Sequence, residues 1–238
     1  MVVAYLNLSR ERISAGSACL DMILHGGFAK GEITLLYGEA ATGKTTTILQ
    51  SAVSAAKLGL KVFYVDSDHS FTEQRFHQIA GPSFQLVSEL VMLFLPETFA
   101  EQRSIIESLE NYLSPKLGVV IIDSISSLYR ASFSNTENVF TLNRDLSRQL
   151  AYLSELSSTH NLVCILTSQV HARLALPVGD IEPVARRALF HFPKTILRLN
   201  NTPRSAVKEF RLERLHGSDA AESRLVALRE TGVENADS

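Results

Sequence analysis

The sequence predicts an α/β fold in which a mostly parallel central sheet is extended at one edge by antiparallel strands from the C-terminal part of the chain. Five apolar runs have the length of strands and do not alternate with polar residues, which indicates strands buried on both faces. They are "ITLLYG" from Ile33, "VFYVD" from Val62, "LVMLFL" from Leu90, "GVVIID" from Gly118 and "LVCILTS" from Leu162. Helical periodicity lies between them, and strands that alternate with helices favour a parallel, doubly wound sheet.

Three segments near the C-terminus have a different pattern. "KTILRLN", "AVKEFRLERLHG" and "SRLVALRE" alternate apolar with charged residues. That alternation is typical of antiparallel strands with one exposed face, so these segments are expected to form the antiparallel edge. We expect one core domain over residues 13–232, preceded by a short segment, 1–12, and followed by a flexible tail, 233–238.

Composition excludes several classes of function. The chain has 238 residues and a formal charge of −2, so it is not uniformly basic, and any contact with DNA has to come from a local patch. No apolar run reaches the roughly 20 residues of a membrane span, and the N-terminus lacks the layout of a signal peptide. Cys19 and Cys164 lie in apolar contexts, which is typical of buried thiols in a reducing compartment. We therefore expect a cytoplasmic protein.

A phosphate-binding loop is predicted at "GEAATGKT", residues 38–45, which has the spacing G-x-x-x-x-G-K-T between a strand and a helix. Glycines let the backbone N–H groups turn toward an anion, and the N-terminus of the following helix adds a positive potential. Lys44 supplies a charge for the β- and γ-phosphates of ATP, and the hydroxyl of Thr45 is a ligand for Mg²⁺. The residues expected to bind the nucleotide are Gly38, Glu39, Ala40, Ala41, Thr42, Gly43, Lys44, Thr45 and Thr46, together with Asp123.

Polar side chains end three of the apolar strands. Asp123 ends "GVVIID", where its carboxylate suits Mg²⁺, bound through a water, or alternatively caps the turn that follows. Asp66 and Asp68 share one face of the chain after "VFYV". We expect Asp68, which lies further past the strand, to polarise the water that attacks the γ-phosphate, and Asp66 to be an acceptor in the turn. Gln169 in "TSQV" either contacts the γ-phosphate or is an ordinary surface residue.

The order of these motifs resembles the ATPase core of the RecA/Rad51/RadA recombinase family. "ISAGSACLDMILHGGFAKGEITLLYGEAATGKTTT" is similar to the opening of that core, with its "LD-x-x-L-x-GG" helix. "VFYVDSDHSFTEQRF" resembles the family's "YIDTEGTFRPERL", "VVIIDSISSLYRASF" resembles its Walker B strand and first DNA loop, and "TSQV" resembles its "TNQV". Since few residues precede this core, the resemblance narrows to RadB, the short archaeal paralogues of RadA.

The resemblance implies a RecA-like P-loop ATPase core that binds ATP and Mg²⁺, and an accessory role in homologous recombination and repair. It implies weak ATPase activity and little strand exchange. By position, Thr45 and Asp123 serve the metal, Asp68 replaces the family's catalytic glutamate, Gln169 is its γ-phosphate sensor and Lys44 binds the phosphates. Aspartate is one methylene shorter than glutamate, which favours slow hydrolysis.

The resemblance also implies contacts with single-stranded or branched DNA. Tyr129 and Arg130 match the start of the first DNA loop, and Arg173 lies in the second. Expected protein partners are a recombinase of the RadA type, other repair proteins or further copies of the chain, and "VVAYLNL" stands where the family has its docking motif. Two alternatives remain open: a regulatory ATPase of the KaiC type, which acts on proteins, and a nucleotide-gated scaffold without catalysis.

Overall fold

A computed structural model describes residues 11–133, 139–169 and 182–236, with the backbone alone described at 182–186. The strands are β1 (Arg12–Ile13), β2 (Phe28–Ala29), β3 (Glu32–Gly38), β4 (Lys61–Asp66), β5 (Val91–Phe94), β6 (Leu117–Asp123), β7 (Val163–Gln169), β8 (Thr195–Asn201), β9 (Val207–Leu215), β10 (Ser218–Arg229) and β11 (Gly232–Asn235). The α-helices are α1 (Ala18–Ile23), α2 (Lys44–Lys57), α3 (Glu73–Ala80), α4 (Phe84–Ser88), α5 (Phe99–Glu107), α6 (Ser127–Phe133), α7 (Val139–His160) and α8 (Glu182–His191).

Nine of these strands form one sheet in the order β11-β10-β9-β8-β3-β7-β6-β4-β5. All neighbours from β8 to β5 are parallel. The pairs β8–β9, β9–β10 and β10–β11 are antiparallel. The predicted fold class, a mostly parallel sheet with antiparallel C-terminal strands, is confirmed. β1 and β2 form a separate antiparallel pair.

Helices cover both faces of the sheet and create two apolar cores. One core contains Leu20, Ile48 and Phe76, from α1, α2 and α3. The other contains Ile106 and Leu146, from α5 and α7. Because parallel strands end at the same edge of a sheet, the carboxyl ends of β3, β4, β6 and β7 lie together, which is where open α/β sheets bind ligands. In the described part of the chain, no helix is long and apolar enough to cross a bilayer.

Two strands differ in detail from the sequence pattern. The run that was expected to be buried on both faces from Leu90 forms β5, which is the edge strand, so its side chains are only partly covered and Leu93 is 38% exposed. β8 pairs parallel with β3, and antiparallel pairing begins only between β8 and β9. Alternation of apolar and charged residues along a strand indicates which face of the strand is exposed. It does not indicate whether the neighbouring strand runs parallel or antiparallel.

The N-terminal caps of two helices affect the site. The sequence pairs Ser70 with Glu73 and Thr98 with Glu101 as capping boxes. The hydroxyl of Thr98 accepts a hydrogen bond from the N–H of Glu101 at 3.1 Å, as predicted. The Ser70 prediction is wrong, because α3 is capped by Thr72, whose hydroxyl accepts from the N–H of Arg75. The hydroxyl of Ser70 is therefore available to the aspartates at the strand ends.

Candidate functional site

The loop from Gly38 to Thr45 is shaped by two glycines. A Cβ at Gly38 would lie 2.1 Å from the carbonyl oxygen of Leu199 on β8, so only glycine lets the loop leave the sheet there. Gly43 has φ +96°, a left-handed conformation, and it is the residue before α2. The chain therefore turns sharply from β3 into the N-terminus of a 14-residue helix, the arrangement that presents backbone N–H groups to an anion.

Lys44 lies inside this turn and contacts its backbone. Its Nζ donates to the carbonyl oxygens of Gly38 at 3.0 Å and Glu39 at 2.6 Å. Burial lowers the pKa of Lys44, and the negative charges of Asp123 and Asp68 partly offset that shift. The ammonium group is therefore partly desolvated and lies near the carboxylates of Asp123 and Asp68.

Asp123 is buried at the end of β6 and accepts hydrogen bonds from four hydroxyl groups. Its Oδ2 accepts from Thr45 Oγ1 at 3.0 Å and from the hydroxyls of Tyr64 and Ser70 at 3.3 Å each. Its Oδ1 accepts from Thr167 Oγ1 at 2.5 Å. Burial raises the pKa of Asp123, and Asp68 and Asp66 act in the same direction, while the hydrogen bonds from Thr167 and Thr45 oppose the shift.

Asp66 and Asp68 have different environments, although they lie two residues apart. Asp66 is fully buried, and its carboxylate accepts from the N–H groups of Ser70 at 3.1 Å and Phe71 at 2.8 Å. Asp66 is thus an acceptor in the turn, as its position at the end of the strand predicts. Asp68 is exposed, and its N–H donates to the carbonyl oxygen of Asp123 at 3.1 Å. Its carboxylate is therefore the one that faces solvent beside the Asp123 site.

Gln169 lies beside the phosphate loop. It ends β7, and its backbone is in register with Gly38 on the adjacent β3. Nη1 of Arg130 donates to the carbonyl oxygen of Gln169 at 2.8 Å. The charge of Arg130 is also close enough to contribute to the lowered pKa of Lys44. The structure thus brings Lys44, Gln169 and Arg130 to the same edge of the sheet.

Tyr129 is placed differently from its neighbour Arg130. Its side chain is 2% exposed, its hydroxyl donates to Asn143 Oδ1, and its ring packs edge-on against Phe99 and Phe133. In this conformation Tyr129 anchors α6 to α5 and α7 and presents no ring face to a ligand. The Tyr129 side chain is therefore not accessible to DNA in this conformation. Arg173, the remaining residue selected for DNA, lies outside the described residues.

The donor set suits magnesium, although it is not a closed metal cage. Thr45 and Asp123 provide hydroxyl and carboxylate oxygens, which are the hard ligands that Mg²⁺ prefers. Within residues 11–133, 139–169 and 182–236, no group of three or more His, Cys, Asp or Glu side chains is arranged to hold a metal ion. Mg²⁺ in phosphate sites usually takes one or two protein ligands and completes its shell with phosphate and water oxygens, so the residues present fit that mode.

Comparison with known proteins decides the family. The Rad51 family model matches residues 9–202. The chain belongs to the Rad51 family. It is 35% identical over 226 residues to the DNA repair and recombination protein RadB of Thermococcus kodakarensis, covering 94% of this chain and 99% of that protein. It is 31% identical over 193 residues to the RadB protein of Methanococcoides burtonii, covering 81% and 84%.

A solved structure agrees with these matches. The crystal structure of the RadB recombinase superposes with a TM-score of 0.79 at 34% identity, covering 94% of this chain and 99% of that one. The resemblance to the recombinase family, drawn from the ordered motifs, and its narrowing to RadB, drawn from the few residues before the core, are therefore confirmed, and so is the RecA-like fold.

This member of the Rad51 family also brings to the site residues that sequence reasoning missed. Tyr64 and Thr167 each interrupt an apolar strand with a hydroxyl, two residues before Asp66 and Gln169 respectively. A hydroxyl on the same strand face as the polar residue that ends the strand is a signal that could have identified them. Arg75 gave no such signal. Its guanidinium donates to the carbonyl oxygens of Arg229 and Glu230 at 2.8 Å each, and so fastens the β10–β11 turn beside α3.

Proposed function

We propose that this Rad51-family chain binds ATP with Mg²⁺ at the carboxyl ends of β3, β4 and β6, hydrolyses it slowly, and acts on DNA as an accessory of repair and recombination. The observation that carries the nucleotide part is the hydrogen bond of 3.0 Å between Thr45 and Asp123. It joins the phosphate loop to the buried acid of β6 next to Lys44. The role in repair and recombination rests on similarity to the RadB proteins, which are named for it.

The backbone and side chains of the loop would bind the phosphates. Gly38 and Gly43 allow N–H groups of residues 38–46 to face the anion, and Lys44 would exchange its two carbonyl acceptors for phosphate oxygens. When bound, Mg²⁺ supplies positive charge against the β- and γ-phosphates. Thr45 would hold it directly and Asp123 through a water, since Mg²⁺ gives up its hydration shell reluctantly.

Asp68 and Gln169 would act at the γ-phosphate. In hydrolysis a water oxygen forms a bond to the γ-phosphorus, the bond from that phosphorus to the bridging oxygen breaks with its electron pair staying on the departing ADP, and the proton of the water passes to phosphate or solvent. Asp68 is exposed beside the site and would accept a hydrogen bond from that water and orient it. Gln169, in register with Gly38, would contact the γ-phosphate and pass its presence to the segment that follows β7.

Slow turnover follows from the length of Asp68. The side chain is one methylene shorter than glutamate, which moves the carboxylate back by about 1.5 Å, the length of one C–C bond. A misplacement of roughly 1 Å can lower a rate on the order of 10²-fold. We therefore propose a protein that holds ATP for long periods and changes its binding properties with nucleotide state.

For DNA, the proposal rests on Arg130, which lies at the same sheet edge as Lys44 and Gln169. Arg130 is half-buried in the last turn of α6, the helix that ends at Phe133. With a net charge of −2, DNA contact has to be local, so a small number of arginines would dominate its salt dependence. We further propose a recombinase of the RadA type as protein partner, because the chain has the family core and carries "VVAYLNL" at the docking position.

The nucleotide proposal is tested by Lys44→Ala. Loss of a charged donor to phosphate is worth about 1.5–3 kcal/mol, so ATP affinity measured by titration calorimetry should fall roughly 10- to 100-fold while the melting temperature changes little. The matched control is Lys57→Ala, which removes the same charge from the exposed C-terminal end of the same helix. Equal ATP affinity in Lys44→Ala and Lys57→Ala would contradict the proposal.

A further inference from the structure

A buried amide lies directly behind the turn that carries Asp68. Gln102, in the second turn of α5, is fully buried. Its Oε1 accepts from Ser67 Oγ at 2.8 Å. Its Nε2 donates to Gln149 Oε1 at 2.9 Å and to the carbonyl oxygen of Ile125 at 3.3 Å. One side chain thus joins the loop after β4, the loop after β6, and helix α7.

Ser67, the residue before Asp68, is held at all three of its polar groups. Its N–H donates to the carbonyl oxygen of Asp123 at 2.7 Å, its hydroxyl donates to Gln102, and its carbonyl oxygen accepts from Ser127 Oγ at 3.2 Å. Ser67 is 4% exposed whereas Asp68 is exposed, so the anchored residue lies inside and the carboxylate projects from it. The backbone from which the Asp68 side chain projects is consequently restrained by what holds Ser67.

We propose that Gln102 is a positioning residue for Asp68, acting through Ser67, and that its pairing with Gln149 ties the placement of Asp68 to helix α7. This rests on the proposed function in so far as Asp68 orients the attacking water. The physical reason is that a buried amide that loses a partner leaves several groups unsatisfied at once, so the Ser67 turn, α5 and α7 keep one relative placement.

The hydrogen bond between Gln102 and Gln149 couples the placement of Asp68 to the position of helix α7. Gln149 is 2% exposed and lies on α7, which begins at Val139, next to the segment predicted to form the first DNA loop. Any ligand that shifts α7 has to move Gln149 Oε1 away from Gln102 or carry Gln102 with it. Either outcome alters the support of Ser67 and therefore the orientation of Asp68.

The first arm of the test needs no hydrolysis. Gln102→Met keeps the length of the side chain and removes both its donor and its acceptor. Hydrogen exchange of the Ser67 and Asp68 amides, both bonded to the carbonyl oxygen of Asp123, should become at least tenfold faster than in the parent. Gln85→Met, the same change at an exposed position of α4, should leave it unchanged. Parental exchange rates in Gln102→Met would overturn the positioning role.

The second arm measures single-turnover ATP hydrolysis in the parent, Gln102→Met, Asp68→Asn and the double variant. Gln102→Met should lower the rate roughly 10- to 100-fold with ATP affinity within about twofold of the parent, and should have no further effect in the Asp68→Asn background. An equal loss in that background would show a merely structural role and overturn the proposal.

Two further outcomes separate the proposals from each other. If Asp68→Asn hydrolyses ATP like the parent, the catalytic role of Asp68 is wrong, and the exchange experiment alone decides whether Gln102 positions the turn. If Gln102→Met does not fold, Ser67→Ala removes the same hydrogen bond with a smaller change, and it should reproduce both the faster exchange at Asp68 and the slower hydrolysis. Parental behaviour of Ser67→Ala in both measurements would overturn the proposal.

Discussion

The hydroxyl of Thr45 donates a hydrogen bond of 3.0 Å to Asp123 Oδ2, joining two residues that lie 78 positions apart in the chain. Thr45 is in the first turn of α2, and Asp123 ends β6, which is separated from β3 by β7. The bond therefore depends on the order of strands in the sheet. Because Asp123 is buried and lies near two further aspartates, its negative charge is unfavourable there, and a bound metal ion would stabilise it.

The first prediction is that Asp123→Asn raises the thermal stability of the nucleotide-free protein while weakening Mg²⁺-dependent ATP binding. Burial raises the pKa of Asp123 in the folded state. At a pH well below 3.8, the ordinary pKa of this group, Asp123 is protonated in both the folded and the unfolded chain. Stability is lost as the pH rises through the folded-state pKa. Asparagine avoids that loss. We expect a higher melting temperature at pH 7. For a chain of this size, each kcal/mol of added stability raises the melting temperature by about 2–4 °C.

The pH dependence makes this prediction specific. The difference in melting temperature between Asp123→Asn and the parent should shrink as the pH falls below the folded-state pKa, because the parent carboxyl group is then neutral as well. Asp219→Asn, an exposed change on β10, serves as control and should alter stability little at any pH. A stability gain in Asp123→Asn that persists unchanged into acid would point to a packing effect.

The second prediction concerns the length of the carboxylate at position 68. Asp68→Glu should raise single-turnover hydrolysis by up to about 10²-fold, since it restores the reach of the side chain, and Asp68→Asn should lower whatever activity the parent has. ATP affinity should stay nearly constant in both, because the expected partner of Asp68 is the attacking water and not a phosphate oxygen. Asp66→Asn is an instructive comparison, since Asp66 accepts two backbone N–H groups and its change should lower stability.

If Asp68→Asn hydrolyses ATP at the parental rate, Asp68 is not the residue that orients the water. The nucleotide-gated scaffold would then be the better description of the chain, provided that Lys44→Ala still weakens ATP binding.

Much of the site could be predicted from the sequence because its signals are local. The phosphate loop is one continuous motif, and Asp66, Asp123 and Gln169 each end an apolar run that forms a strand. The contacts around Gln102 could not be predicted, since its partners Ser67 and Gln149 lie 35 and 47 residues away. They meet only because β4 and β6 are adjacent and α5 packs beside α7, which depends on tertiary structure.

Tyr129 was selected by a sequence motif, but tertiary packing places it away from the site. A motif match selected it together with Arg130, but adjacent residues on a helix point about 100° apart. Tyr129 is therefore buried against Phe99 and Phe133, whereas Arg130 reaches the carbonyl oxygen of Gln169. A motif indicates which segment lies at a site, and the packing of the helix decides which of its residues are accessible.

The third prediction is that Arg130→Ala reduces the salt dependence of DNA binding. Each phosphate-contacting cation contributes about 0.7–0.9 to the slope of log affinity against log salt concentration, so the slope should become shallower by about one charge. The measurement is fluorescence anisotropy of a single-stranded oligonucleotide across salt concentrations, with ATP and Mg²⁺ present. Binding should weaken similarly for different DNA sequences, because a phosphate contact carries no sequence information.

Arg144→Ala is the matched control for this experiment. Arg144 is on α7, its side chain is 57% exposed, and its Nε lies 3.9 Å from Asp145 Oδ1. If the slope changes in Arg144→Ala and not in Arg130→Ala, DNA binds along α7, and Arg130 serves only to hold the end of β7.

The fourth prediction is that substitutions of two glutamines in contact, Gln102 and Gln149, lower the stability of the protein by different amounts. In the described part of the chain, Gln149 Nε2 is buried without a hydrogen-bond partner, and its Oε1 accepts from Gln102. Gln149→Met removes that unpartnered group together with one hydrogen bond, and Gln102 Nε2 keeps the carbonyl oxygen of Ile125. We expect the free energy of unfolding to change by less than about 1 kcal/mol.

Gln102→Met should destabilise the protein by about 2–3 kcal/mol, because it removes the partner of Ser67 Oγ, Gln149 Oε1 and the carbonyl oxygen of Ile125 at one time. Urea unfolding of both variants and of Gln102→Met/Gln149→Met measures the asymmetry. In the double variant the loss should be smaller than the sum of the two single changes, since the amide of Gln149 is no longer left without its partner. Equal losses in the two single variants would mean that the pair is held by packing alone, and the hydrogen bonds to Ser67 and Ile125 would then contribute nothing to the stability of the fold.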